Sequence, residues 1–136
     1  MDKEIDIAMH KEHRLWESDI EMWNHDVEMW KEEIKSLKGA LIRIEVLIES
    51  HEEAVAKHVE DFNEHQSNAR VHEQNISMQP EDSGNWEELC ELHSSERKSH
   101  KYLLSRHNLL KTIQHEFMTA AKEFNDKLEH ISSRQD

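Results

Sequence analysis

One proline, two glycines and a single cysteine are all the chain-breaking and cross-linking residues that 136 positions hold. So little proline and glycine excludes a fold of many short elements joined by tight turns, and sheets with it. It points instead to long helices. The lone Cys90 excludes an intramolecular disulfide and any cysteine-built zinc site. Crowded by Glu87, Glu88 and Glu91, it also lacks the electropositive setting of a catalytic thiol. Basic charge is scarce: the net charge is −13 with histidine neutral, so neither nucleic acid nor an anionic membrane gains energy from meeting this surface. No stretch approaches the roughly 20 apolar residues a membrane helix needs. Residues 1–10 place acids among their few apolar side chains, unlike a secretory signal, and the expected setting is the cytoplasm. There is no glycine-rich phosphate loop.

What the chain does have is a seven-residue rhythm. One row reads Met9, Trp16, Trp23, Trp30, Leu37, Ile44, His51, His58, His65, His72, and its companion reads His13, Ile20, Val27, Ile34, Leu41, Ile48, Val55, Phe62, Ala69, Ile76. These are the core rows of a coiled coil, except that histidine replaces leucine in the second half of the first row. The break at Met78 to Trp86 contains Pro80, Asp82-Ser83-Gly84 and a candidate N-cap, Asn85; it ends one helix and starts another. After it, Leu103, Leu110, Phe117, Phe124 and Ile131 form a row beside His93, His100 and His107. The sequence therefore predicts a single all-α domain over residues 1–136, with a helix over 3–78, a turn over 79–85 and a helix over 86–132.

Folding at the turn lays the two spans antiparallel in one register that matches both kinds of row. His72 meets His93, His65 meets His100, His58 meets His107, and His51 comes near His115, while Ile76 meets Leu89, Phe62 meets Leu103 and Val55 meets Leu110. The first half of the long span carries an acid row at the same period, Glu12, Asp19, Asp26 and Glu33. Packed antiparallel on residues 40–78, it brings Asp19 level with His58 and His107, Asp26 with His51 and His115, and Glu12 with His65 and His100. Two architectures give these layers: a homodimer whose long helix passes straight through Gly39 and packs on its symmetry mate, or a monomeric three-helix bundle whose chain reverses at Gly39. Lys38-Gly39-Ala40 has neither an N-cap nor room for a usual helix–helix connection, which favours the helix-swapped homodimer. Either way Trp16, Trp23 and Trp30 are expected in a core.

A buried neutral imidazole must satisfy one donor and one acceptor, and a buried charged one needs a partner. A seam of histidines is thus a costly way to fill a core unless something compensates. Two imidazoles and a carboxylate per layer suit a divalent transition metal, zinc, copper, nickel or iron. The candidate ligands are His51, His58, His65, His72, His93, His100, His107 and His115 with Glu12, Asp19, Asp26 and Glu96. The richest place is near the turn, where His65, His72, His93 and His100 surround Ala69 and Glu96. The same layers would also hold together by hydrogen bonds alone and respond to pH. Known bundle chemistries fit poorly: no Glu-x-x-His occurs, which removes the main requirement of ferritin-like di-iron sites. Layers about 10.5 Å apart are also too close for a haem in each.

The run His13-x-x-Trp16-x-x-Asp19-x-x-x-Trp23-x-x-Asp26-x-x-x-Trp30-x-x-Glu33, followed by histidines every seven residues, resembles a scattered, uncharacterised group of bacterial proteins. In these a tryptophan/acid helix precedes a histidine-heptad hairpin. The resemblance spans nearly the whole chain and implies the architecture and a bacterial cytoplasmic setting, with no activity, cofactor or site attached. The expected function is non-enzymatic binding of a transition metal, for storage, buffering or sensing. The alternative is a structural or interaction coiled coil with pH-sensitive histidine layers and no metal, and an enzyme built on an open metal position is the third reading.

Overall fold

Long uninterrupted helices follow from a chain that supplies almost nothing to stop one. The computed structural model describes residues 2–78 and 84–135, and among them there are two helices and no strand. Helix α1 runs Asp2–Met78 and helix α2 runs Trp86–Ser132. Asp2 and Glu4 in the first turn of α1, and Glu87 and Glu88 in that of α2, sit where carboxylates favour the helix dipole. Helix α1 ends two residues before Pro80, a residue type that biases its predecessor out of helical geometry. The turn expected over 79–85 falls mostly on residues 79–83, outside the described residues. Asn85 stands at the N-cap of α2, yet its side chain caps nothing; its carbonyl accepts from the Leu89 N–H at 3.0 Å.

Gly39 lies within α1, its φ is not positive, and a Cβ built on it would meet nothing within 4 Å. The reversal that a monomeric three-helix bundle requires at Gly39 is therefore absent. The physical reason is the one legible in the sequence: a lone glycine costs a helix only about 1 kcal/mol, too little to end it without a cap or a loop.

The chain divides into two units, Met1–Ile48 and Glu49–Asp136. The described part of the first is a single stretch of helix. Its core rows lie open: Trp16, Trp23 and Trp30 are 54%, 58% and 55% exposed. The expectation that these indoles are core is not met within the chain.

The second unit is an antiparallel hairpin of the last part of α1 against α2. Two helices can cover only the seam between them, so few side chains are buried: Leu103 and Leu110 at 7% exposure, and the two histidines His58 and His72. The predicted apolar partners share hollows as the register requires, Phe62 with Leu103 and Val55 with Leu110. Ile76 and Leu89 line a third hollow with Trp86. No helix among the described residues is long and apolar enough to cross a membrane.

Because Leu103 and Leu110 are the only buried apolar side chains described, they carry a disproportionate share of the hairpin's stability. Leu103→Ala or Leu110→Ala is expected to cost about 2–3 kcal/mol, the low end for buried leucines since the site is open enough to collapse. Leu109→Ala, whose side chain is exposed, is expected to cost under about 0.5 kcal/mol. Urea denaturation of the three variants measures the difference.

Candidate metal centre

The hairpin seats histidines opposite one another because both helices repeat them every seven residues and the antiparallel register keeps the two repeats in step. His58 Nε2 lies 3.2 Å from His107 Nδ1, and His65 Nε2 lies 3.2 Å from His100 Nδ1. An N–H of one ring donates to the bare nitrogen of the other in each pair, which requires at least one ring to be neutral. The ring centroids are 5.3 Å apart in both pairs, and Phe62 meets the His58 ring edge-on. The fourth expected layer differs in its partner. His51 Nε2 is 3.0 Å from the Gln114 side-chain oxygen and accordingly donates to it, while His115 is exposed. The strict antiparallel register leads to position 114, and helix geometry turns the next residue out of the seam.

The layer nearest the turn is built otherwise. His72 is only 3% exposed, the most buried polar residue described, and neither of its ring nitrogens has a hydrogen-bond partner. His93 stacks on it at 5.6 Å and 23° without bonding to it. Glu96, half-buried, follows His93 by three residues on α2 and so shares its face. One donor atom each from His72, His93 and Glu96 lie within 4.8 Å of one another. Donors around a tetrahedral ion sit about 3.4 Å apart when each bond is about 2.1 Å. Closing on an ion therefore takes a shortening of at most about 1.4 Å between donor atoms, and the exposed His93 and half-buried Glu96 have more room to supply it than the buried His72.

The expected five-ligand convergence near the turn thus resolves into two different things. His72, His93 and Glu96 come together with no hydrogen bond among the described residues, whereas His65 and His100 each commit one ring nitrogen to the other. Of the carboxylates expected in the layers, Glu96 alone joins a described cluster; Glu12, Asp19 and Asp26 belong to the first unit and are not part of it. Asp61 and Glu64 line the groove of about 890 Å³ that runs beside His65, His72 and Glu96. Asp61, however, is held by Lys57 at 2.8 Å. The hydrogen bond to Asp61, reinforced by its charge, keeps the Lys57 ammonium above its ordinary pKa. His10, His25 and His130 are exposed, as their positions off the seam imply.

Comparison with protein-family models, with curated proteins and with solved structures finds no match. The functional reading therefore rests on this geometry.

The paired layers make a prediction of their own. His107→Leu leaves His58 with no partner at either nitrogen, because its Nδ1 already has none, and is expected to destabilise by about 1–3 kcal/mol. The double variant His58→Leu/His107→Leu removes both polar groups and is expected to recover most of that loss. Urea denaturation of the parent, the single variant and the double variant measures the difference.

Proposed function

We propose that this chain binds one divalent transition-metal ion in the layer nearest the turn, with His72, His93 and Glu96 as its ligands. The observation that carries this is His72: a histidine removed from water with both ring nitrogens unpartnered, beside a second imidazole and a carboxylate. Leaving such a group unsatisfied costs about 1–3 kcal/mol, and an ion bound at one nitrogen offsets that cost. Two nitrogens and one oxygen suit zinc, nickel, copper or iron and suit calcium or magnesium badly. Three protein ligands leave a coordination position for water or an incoming group. The half-exposed position of the site at the edge of an open groove suits reversible loading, as in buffering or sensing, more than a sealed structural role.

The paired layers support a division of labour. His58 with His107 and His65 with His100 already bond to one another across the seam through one nitrogen each, so they serve register and need no ion. This joins the two readings that the sequence leaves open: one layer for metal, the others for structure.

Zinc, nickel or copper should raise the melting temperature with concentration, since a ligand binding only the folded state adds RT ln(1 + [L]/Kd), about 2.7 kcal/mol at a hundred times Kd. His72→Leu should do two opposite things: raise the melting temperature of the metal-free protein, by removing an unsatisfied buried group, and abolish the metal-dependent increment. Lowering the pH to about 5 should also remove the increment, because protons compete for the imidazole nitrogens. Calorimetry with and without chelator reads all three effects. An undiminished metal increment in His72→Leu, or no increment with any of the three metals in the parent protein, sinks the assignment.

A further inference from the structure

The hairpin presents two apolar hollows on one face, one heptad apart. The first centres on Phe62 and is bordered by the His58/His107 and His65/His100 layers; the second centres on Val55, between the His51/Gln114 and His58/His107 layers. Their volumes are similar, about 540 and 490 Å³. Nothing in the chain is described as filling them, and in the first unit Trp16 and Trp23 stand open at the same seven-residue interval. Side chains one heptad apart on a helix repeat at about 10.5 Å, the repeat of the layers themselves.

We infer that these hollows receive the tryptophan stripe of a second copy of this chain, lying antiparallel along the hairpin with Trp16 against Phe62 and Trp23 against Val55. The match extends beyond shape. In that register the acid row borders α2, with Asp19 level with His58 and His107, and Asp26 close to Lys111, which lines the second hollow. His58 Nδ1, buried without a partner, lies at the layer where Asp19 arrives. The occupant is a second copy because the arrangement is its own complement: stripe on hairpin and hairpin on stripe are related by a twofold at Gly39, the isologous form most dimers take. Gly39 has no side chain and open space around it, which suits a close crossing of two helices. The inference does not depend on the metal, whose ligands lie outside both hollows.

The test uses the full chain. Sedimentation equilibrium is expected to give twice the chain mass of 16.3 kDa at micromolar concentration. Trp16→Ser/Trp23→Ser is expected to raise the dimer dissociation constant by at least about 100-fold, with helicity by circular dichroism reporting whether the variant still folds. Asn24→Cys with Glu52→Cys in a Cys90→Ser background tests the register without touching tryptophan or histidine. These positions flank the proposed contact, and oxidation is expected to yield a covalent dimer. A chain mass of 16.3 kDa for the parent protein at 100 micromolar or so overturns the inference, as does a helical double-serine variant that dimerises as tightly as the parent. A parent dimer in which the cysteine pair fails to cross-link overturns the register. His72→Leu is expected to dimerise normally, so a failed metal site and a failed dimer give different results.

Discussion

The hairpin depends on imidazoles meeting imidazoles across a seam between two helices. A leucine seam would stabilise more strongly, but it tolerates sliding, because apolar contact has no direction. A nitrogen-to-nitrogen hydrogen bond of 3.2 Å has one geometry and one requirement, a donor opposite an acceptor, and it is repeated on either side of Phe62 and Leu103. With Leu103 and Leu110 as the only buried apolar side chains described, these polar layers set where the apolar ones fall. The turn-proximal layer inherits its position from them: because His65 and His100 are locked together, His72 and His93 are stacked and held near Glu96 without having to find each other.

That arrangement separates rigidity from chemistry. Each bonded pair commits one nitrogen of either ring to the other and holds the scaffold. The unbonded layer keeps its nitrogens free at the cost of an unsatisfied buried histidine, a local penalty that packing alone does not account for. Most described carboxylates lie on solvated faces, a few of them in pairs such as Lys31 with Glu28 and Lys35 with Glu32. Such pairs contribute little to stability, and Glu96 is the carboxylate that the fold brings into the seam.

Much of this is legible in the sequence because heptad spacing reports both helix type and facing partner. The antiparallel register follows from the turn and from the histidine and apolar rows together, and Glu96 stands out by its core-facing position opposite Ala69. At His51 the register leads to Gln114, and His115, one residue further on, is exposed. The free nitrogens of His72 could not be read, because ring orientation depends on packing rather than on spacing. Nor could the exposure of Trp16, Trp23 and Trp30, since a periodic apolar stripe does not say whether the same chain covers it.

The repetition that makes the seam readable also makes it degenerate. Slide α2 by one heptad and His72 would meet His100, and His65 would meet His107, each pair as well bonded as before. What opposes the slip lies at its ends: His93 would lose its place beside His72, His58 would be left with Gln114, and Trp86 and Leu89 would be drawn out of their hollow with Ile76. The correct frame is thus distinguished from its nearest rival by the terminal layers rather than the middle ones, as the two scales of a vernier coincide along their length and are told apart only at the edges. An ion held by His72, His93 and Glu96 would favour the one frame in which all three meet.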